Sequence, residues 1–338
     1  MTRRTVAWYV HHHGLGHLGR LRAIAPHLDA DVVALSSLPE PEGLPPHVDW
    51  VRLDRDDEPV AGRRPADADP AVGGLLHWAP LLHPGHRGRL ARIARELDAR
   101  GAAAVVVDVS VEVTLLARLL GVPPVVVAQP GVRDDEPHAL GLRAAARVLA
   151  PWPDGVVPAA HLEPVRDRVV FTGGISRFEG RVPSAVERAG VLVLGGRGGS
   201  DVTAAHVDAA ARATPGRLWT ALGAGAGWSD DPWHALTAAD TVVSFAGQNS
   251  VADLAVAGAR AVVVPQDRPF DEQAVTARAL ARAGLAVVEP AWPDPGRWPE
   301  VLDRAAALQP DWSVWGTAGA AARAAEAIDG VARRGGLS

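Results

Sequence analysis

The first residues that could do chemistry lie in a glycine-rich turn near the amino terminus. The turn, Gly14-Leu15-Gly16-His17-Leu18-Gly19, follows a short apolar run and precedes a helix-length segment. Glycines at this spacing allow a tight turn and let a diphosphate approach the start of a helix. They could serve only to start that helix, but an imidazole at the carboxyl edge of a parallel sheet lies where ligands bind. We therefore predict that Gly14 and Gly16 contact a diphosphate and that His17 is catalytic.

Asp108 is the second candidate, because it ends an otherwise apolar strand-like run at 103–107. In an open parallel sheet its carboxylate and His17 would face the same crevice. A carboxylate beside an imidazole fixes the tautomer and stabilises the charged ring, which suits a general base acting on a hydroxyl. Asp108 could equally cap the helix that follows, and the spacing leaves both interpretations open. His17 and Asp108 are the predicted catalytic pair.

The third group has the sequence SFAGQNSVAD over residues 244–253. Its glycine permits close approach to the backbone, Asn249 or Ser250 can cap the following helix, and the first N–H groups of that helix attract an anion. An ordinary capped turn would account for the same residues. We predict that a diphosphate binds here, contacting Gly247, Gln248, Asn249 and Ser250.

Other polar residues could contact the rest of a nucleotide sugar. Asp253, one helical turn further on, could accept hydrogen bonds from ribose hydroxyls, and Glu272 and Gln273 at the next helix start could contact a sugar. Glu272 would also suit the first turn of a helix by its charge alone. The sequence GGRGGS at 195–200 suits a phosphate, although without lysine it is not a P-loop. The diphosphate contacts predicted there are Gly196, Arg197 and Gly198.

The composition excludes several chemistries. The chain of 338 residues has no cysteine and no lysine, and its 34 basic side chains are all arginine. Thiolate nucleophiles, cysteine-ligated metals and Schiff-base or P-loop lysines are therefore excluded. A net charge of −5 gives no electrostatic footprint for nucleic acid, and we predict no such partner.

Short apolar runs alternate with helix-length segments, which is typical of βαβ units around parallel sheets. The predicted strands are 5–10, 31–35, 48–53, 103–107 and 124–128, then 191–194, 218–222, 241–244, 261–264 and 286–288. The predicted helices include 18–28, 87–99, 111–120, 203–213, 250–257 and 272–283. We predict an α/β fold with two Rossmann-like domains, residues 1–165 and 166–338, joined by a crossover near 150–182.

On these residues the chain resembles two groups of GT-B glycosyltransferases. Residues 241–280 resemble the nucleotide-sugar-binding domain of the MurG-like family. The motif of that domain is S-x-A-G-A-N-T-x-x-E, and it is followed by a strand that ends in proline and by a D/E-Q pair. In this chain Gln248 replaces the small residue of the motif, Ser250 replaces its threonine and Asp253 replaces its glutamate. The turn at 14–18 is similar to the G-x-G-H turn of that family and of the UDP-glycosyltransferases. In the latter a histidine is the catalytic base and an aspartate orients it. Asp108, followed by Gly-Val-Pro at 121–123, matches that aspartate's context.

The resemblance implies two domains facing each other across a cleft, with the acceptor on the first domain and the nucleotide sugar on the second. It implies an inverting, metal-independent transfer of a sugar, from UDP in preference to dTDP, to a hydroxyl of a natural product or a cell-envelope precursor. The donor is then a co-substrate, and no cofactor is expected. The D-x-D matches at 54–56 and 67–69 are given no metal role.

The segment 73–89 is the predicted acceptor loop because it combines leucines with histidines and a tryptophan. Such a loop suits a hydrophobic small molecule or a lipid-linked acceptor met at a membrane surface, and the predicted contacts are His77, Trp78 and His83. A core helix with buried leucines is the alternative. The uncharged stretch 70–86 contains prolines and histidines and does not resemble a membrane span, and the apolar run before His11 is too short for a signal peptide. We expect a cytoplasmic protein that contacts the inner face of the membrane if its acceptor is lipid-linked.

Three other functions remain open at this point. A UDP-sugar 2-epimerase shares the architecture. An NAD(P)-dependent dehydrogenase would use the Gly14-Gly16-Gly19 turn. It would also need an acidic residue about 20 residues later to bind the ribose, and this chain has Ser36 and Ser37 at that place. A non-catalytic nucleotide-sugar-binding protein would keep the motif at 244–253 without a working base.

Overall fold

The computed structural model describes residues 3–183, 187–195, 201–223 and 227–335, and these form two α/β domains. The strands of the first sheet are β1 (Arg4–Val10), β2 (Ala30–Ser36), β3 (Val48–Arg52), β4 (Ala104–Asp108), β5 (Pro124–Val127), β6 (Arg147–Ala150) and β7 (Val169–Phe171). Those of the second are β8 (Val191–Leu194), β9 (Trp219–Leu222), β10 (Thr241–Ser244), β11 (Ala261–Val263) and β12 (Ala286–Val288). The α-helices are α1 (Gly16–Ile24), α2 (Pro84–Ala99), α3 (Val111–Leu119), α4 (Glu136–Ala144), α5 (Ala204–Ala213), α6 (Trp233–Ala238), α7 (Gln248–Ala257), α8 (Glu272–Arg282), α9 (Trp298–Ala307) and α10 (Ala320–Gly335).

The first sheet has the strand order β3-β2-β1-β4-β5-β6-β7, and all its pairings are parallel. Alternate side chains of β1 enter opposite layers: Val6, Trp8 and Val10 pack with α1 and α10, whereas Ala7 and Tyr9 pack with α2 and α3. Burial on both faces is the reason that these strands are continuous apolar runs in the sequence. The chain order reverses between β1 and β4, so the segments after these two strands open a crevice.

The second sheet has the order β12-β11-β10-β8-β9 and is also parallel throughout. Helices α5 and α9 cover one face, and α7 and α8 cover the other. The apolar cluster beneath α7 and α8 continues into the first domain, where it includes Val148 and Trp152. The two domains therefore share part of their hydrophobic core.

Two features of the chain's path differ from the sequence prediction. The proposed crossover at 150–182 contains β7, the edge strand of the first sheet, which pairs with the likewise unpredicted β6. Helix α10 leaves the second domain and packs against β1, β4 and β6 of the first. The division at residue 165 stays a prediction. The carboxyl-terminal helix α10 belongs by its packing to the first domain, although the prediction assigned residues 166–338 to the second.

None of the helices in the described residues combines the length and the apolar character that crossing a bilayer requires.

Candidate active site

The predicted catalytic pair lies where the strand order of the first sheet reverses. Val10 at the end of β1 is in register with Asp108 at the end of β4, and α1 begins six residues after β1. His17 is in the first turn of α1, and its Nδ1 lies 2.9 Å from Oδ1 of Asp108. Because Nδ1 faces the carboxylate, Nε2 is the nitrogen left for a substrate. The structure thus brings the two residues together, as their spacing predicted.

Asp108 has a second partner that the sequence analysis missed. Nη1 of Arg20 donates to both carboxylate oxygens of Asp108 at 2.6 Å. Asp108 has no exposed surface, and burial would raise its pKa, but the Arg20 guanidinium and the His17 imidazole hold that pKa well below its usual range. The carboxylate beside His17 is therefore ionised. Its alternative role as a helix cap is wrong, since Ser110 Oγ caps α3 by accepting from the N–H of Val113.

The backbone immediately after Asp108 is strained. Val109 has a φ of 67°, a left-handed conformation that is an outlier for a β-branched residue. Such a conformation costs on the order of 1–3 kcal/mol and persists only where the surrounding structure enforces it. It lies between the buried Asp108 and the cap Ser110, at the edge of a cavity.

A cleft of about 720 Å³ lies between the two domains. The first domain lines it with the turn at 14–20, including His17, and the second with the start of α7 and with Glu272 and Gln273 of α8. Helix α7 begins at Gln248 after Gly247, and no side chain among the described residues caps it. Because the first N–H groups of a helix have no partner within the helix, this end of α7 suits an anion in the interdomain cleft.

The side chains of Gln248 and Asn249 contact the other domain instead of capping α7. Asn249 Nδ2 donates to the carbonyl of Gly16 at 2.9 Å, and Arg20 Nη2 donates to Gln248 Oε1 at 3.1 Å. The expectation that Asn249 or Ser250 caps this helix is wrong, because both lie inside its first turn. A diphosphate at this point would meet the backbone N–H groups of this turn.

Asp253 lies in the cleft, one turn into α7, and is almost completely buried. Its Oδ1 accepts from Ser176 Oγ at 2.7 Å, and its Oδ2 lies 3.5 Å from Nε of Arg177. Burial raises the pKa of Asp253 to about 6, although Ser176 and Arg177 oppose this shift. The carboxyl therefore keeps its proton to a higher pH than an exposed aspartate does.

Glu272 and Gln273, the first two residues of α8, have different surroundings. Glu272 lies 3.3 Å from Nη2 of Arg133 in the first domain, and burial raises its pKa against the attraction of that arginine. Gln273 Oε1 accepts from the backbone N–H groups of Ala246 and Gln266 at 3.1 and 2.9 Å. Gln273 therefore fixes the loops that form the cleft, in addition to lining it. The predicted contacts Gly196, Arg197 and Gly198 lie outside the described residues.

A second cavity, of about 490 Å³, adjoins the cleft and shares His12, His13 and Gln129 with it. We call it the histidine cavity because its walls include His11, His12, His13, His77, His86, His138 and His161. Burial lowers the pKa of His11 to about 2 and the pKa of His138 and His161 to about 4. These three imidazoles are therefore neutral at physiological pH, and α3 and β5 add valine side chains to the walls.

The predicted acceptor segment contributes two of its three named residues to this cavity. His77 and Trp78 line it, and Glu112 Oε1 accepts from both of their backbone N–H groups at 2.8 and 2.9 Å. His83 does not belong to the lining: it is buried, its Nδ1 faces the N–H of His86 at the start of α2, and its Nε2 faces the carbonyl of Glu58. The structure thus gives His83 a capping role rather than the expected acceptor contact.

The comparisons with known proteins agree with this architecture. A model of the glycosyltransferase family 28 C-terminal domain matches residues 227–291. The UDP-N-acetylglucosamine–N-acetylmuramyl-(pentapeptide) pyrophosphoryl-undecaprenol N-acetylglucosamine transferase of Rubrobacter xylanophilus is 30% identical over an alignment of 254 residues that covers 69% of this chain and 73% of that enzyme. The crystal structure of Acinetobacter baumannii MurG matches with a TM-score of 0.61 at 18% identity. The match covers 97% of this chain and 99% of the MurG chain. The calicheamicin glycosyltransferase CalG4 has a TM-score of 0.61 at 16% identity, with 99% of each chain covered.

Two parallel-sheet domains around a cleft, matched along their whole length by these solved structures, define a glycosyltransferase of the GT-B fold. Within that class, the chain belongs to the MurG-like glycosyltransferases of family 28. The fold class and the enzyme class predicted from the sequence are therefore confirmed.

Proposed function

We propose that this enzyme is an inverting, metal-independent transferase that moves a sugar from UDP to a hydroxyl group of its acceptor. The observation that carries the proposal is the contact between His17 and the ionised Asp108 at the edge of the interdomain cleft. UDP is favoured because the Rubrobacter relative is named as a UDP-N-acetylglucosamine transferase, and dTDP is the second choice.

In this mechanism Nε2 of His17 takes the proton of the acceptor hydroxyl while its oxygen attacks the anomeric carbon of the sugar. The bond between that carbon and the diphosphate oxygen breaks, and the diphosphate leaves with the electron pair. Asp108 holds the His17 tautomer and stabilises the imidazolium that forms. The growing charge on the diphosphate would be stabilised by the first-turn N–H groups of α7, and also by Arg197 if its predicted role holds.

We assign the donor to the second domain and the acceptor to the first. Asp253 would accept from the ribose hydroxyls, Glu272 and Gln273 would face the sugar, and Gly14 and Gly16 would close over the diphosphate from the first domain. All five residues line the same cleft, which supports this arrangement. The adjoining histidine cavity would hold the acceptor, with His77 and Trp78 in its wall.

Two acceptor classes fit this surface. The volume of about 490 Å³ and the neutral imidazoles suit a compact, largely apolar molecule that carries one hydroxyl. A lipid-linked acceptor would instead use the exposed apolar loop beside the cavity, where Leu81 and Leu82 are 59% and 87% exposed. In the second case we expect the enzyme to meet the inner face of a membrane.

A binding assay followed by a turnover assay tests the donor and the reaction. We expect UDP to raise the melting temperature by more than dTDP, and NADH to have no effect. Nucleotide release should then require an acceptor, supplied either as a panel of hydroxylated apolar molecules or as a polyprenyl-diphosphate sugar in vesicles. Stabilisation by NADH alone, or acceptor-independent conversion of the sugar, would contradict the proposal.

Substitution of the base gives the first specific prediction. His17→Ala should lower kcat about 10²- to 10⁴-fold, because general-base catalysis contributes that much, while the Kd for UDP stays within about twofold. The matched control is His27→Ala, at an exposed histidine outside both cavities. Equal turnover by the His17 variant and the wild type would exclude His17 as the base.

A further inference from the structure

The histidine triplet after β1 takes no part in the proton transfer proposed above, and two of its members contact an acidic residue from another part of the chain. Nε2 of His12 lies 3.4 Å and Nε2 of His13 lies 3.3 Å from the same atom, Oδ2 of Asp57. The three ligand atoms all lie within 4.8 Å of one another. His12 and His13 follow β1 and Asp57 follows β3, so the carboxyl edge of the first sheet brings them together.

His12 lacks the partners that a buried imidazole normally has. Its side chain is only 3% exposed, and neither ring nitrogen makes a hydrogen bond within the described parts of the chain. Most buried polar atoms in proteins have such a partner, so an orphaned ring needs an explanation.

The spacing of the three atoms fits a shared ion. Ligands about 2.0–2.1 Å from a tetrahedral zinc ion lie about 3.3–3.4 Å from each other. The two distances to Asp57 have this length; the one from His13 is also a long hydrogen bond, whereas the one from His12 is not a hydrogen bond. Two imidazoles and a carboxylate are also a ligand set that zinc uses when its fourth position stays open.

A second layer of contacts holds the carboxylate. Arg55 donates to Asp57 from Nε at 3.0 Å and from Nη2 at 2.5 Å. Oε1 of Glu58 also lies 3.0 Å from Nε of Arg55, so this arginine is paired with both carboxylates. Carboxylates that ligate metals are commonly hydrogen-bonded in this way.

We propose that His12, His13 and Asp57 bind one divalent transition-metal ion of the zinc type. The fourth position faces the junction of the cleft and the histidine cavity, because both of these are lined by His12 and His13. That position takes water. The site lies on the acceptor side and takes no part in the proposed departure of the diphosphate.

A second cluster, His77, Asp135 and His138, has comparable spacing but a different environment. Nη1 of Arg133 donates to Nε2 of His138 at 2.9 Å, so Nδ1 of that ring carries the proton and donates to Asp135 at 2.7 Å. The single available lone pair of the His138 ring, on Nε2, therefore already accepts a hydrogen bond from Arg133. This cluster serves as the internal comparison for the test.

The test measures metal binding by the full chain after treatment with a chelator, without donor or acceptor. We expect one Zn²⁺ per chain by competition with a zinc-sensitive dye, and Co²⁺ should give the intense visible absorption of a four-coordinate site. His13→Gln removes a ligand from an exposed side chain and should weaken Zn²⁺ binding at least about tenfold, and Asp57→Asn should do the same. His27→Gln and His77→Gln should bind as the wild type does.

Three results would overturn the assignment: no stoichiometric Zn²⁺, wild-type affinity in the His13 variant, or a loss confined to His77→Gln. Circular dichroism and the melting temperature without metal confirm that each variant is folded. Because the readout is metal binding alone, its outcome is independent of whether the proposed sugar transfer is correct.

Discussion

Asp108 shows how a single residue can serve two partners at once. Its carboxylate stays ionised without solvent because Arg20 binds both oxygens, and the same charge faces His17. The sequence contained a signal for Arg20, since it follows His17 by three positions and therefore lies on the same face of α1. That signal was missed because an arginine at the start of a helix is normally solvent-exposed. Removing one partner of such a buried pair typically costs about 3–5 kcal/mol.

Asp253 gives a pH-dependent prediction at the same scale. Its pKa is raised to about 6 in the folded protein, so the folded state holds a proton there more tightly than the unfolded chain does. Its contribution to the free energy of unfolding should fall as the pH rises from about 4 to about 6 and stay low above that range. The ionised form accepts hydrogen bonds from ribose hydroxyls, so donor affinity should rise over the same interval.

The measurement is the Kd of a UDP-sugar between pH 5 and 7.5, compared with Asp253→Asn. A UDP-sugar is used because its diphosphate, unlike that of UDP, has no ionisation in this interval. The variant should bind more weakly at pH 7 and lose the part of the pH dependence that belongs to this carboxyl. An identical pH profile in both proteins would show that Asp253 does not contact the donor.

At the scale of elements, the segment after β4 supports both the catalytic residue and the acceptor wall. Ser110 caps α3, Val109 is held in a strained conformation, and Glu112 in the first turn of α3 binds the backbone at His77 and Trp78. The sequence pattern placed α3 well, predicting 111–120 for an observed Val111–Leu119. It did not predict that the first turn of α3 would anchor a loop that precedes it by more than thirty residues.

Glu112→Ala should release this loop without touching the donor side. Losing an acceptor for two backbone N–H groups costs about 1–3 kcal/mol, so the KM for the acceptor should rise about 5- to 150-fold while the Kd for UDP is unchanged. Glu112→Gln keeps a carbonyl oxygen at the same place and should recover part of the loss. Steady-state kinetics with the acceptor varied provide the measurement, and an unchanged acceptor KM in the alanine variant would contradict the role of the loop.

At the scale of the whole molecule, side chains and backbone from each domain reach into the other. Asn249 of α7 donates a hydrogen bond to the carbonyl of Gly16, and Gln248 accepts one from Arg20. The carbonyl of Phe270 accepts from the N–H of Val132 at 2.8 Å. The guanidinium of Arg133 lies 4.8 Å from the centre of the Phe270 ring. The relative position of the two domains therefore depends on a small number of polar contacts around the cleft, in addition to the shared core.

Asn249→Ala removes one of these interdomain contacts. We expect a loss of about 0.5–1.5 kcal/mol in the free energy of unfolding and a larger radius of gyration in solution scattering, because the bond to Gly16 closes the cleft. Binding of UDP should be nearly unchanged, since the helix N–H groups remain. Ser250→Ala, in the same helical turn, is the matched control, and equal effects of the two substitutions would argue against an interdomain role for Asn249.

The sequence by itself determined the two parallel sheets and the meeting of His17 with Asp108. Strands buried on both faces must be continuous apolar runs, and the ends of neighbouring parallel strands must meet at one edge. The strand β7 was missed because it lies in the stretch 150–182, whose prolines and glycines are typical of a linker between domains.

Only the tertiary structure decided which distant side chains become partners. Arg20 donates to Gln248, and Asn249 donates to the carbonyl of Gly16. His83 contacts the carbonyl of Glu58, and Asp57 lies close to His12 and His13. Each of these contacts depends on packing between segments that are far apart in the chain. Local patterns of apolar and polar residues constrain the backbone of each element, but they do not specify what a side chain meets when two elements come together.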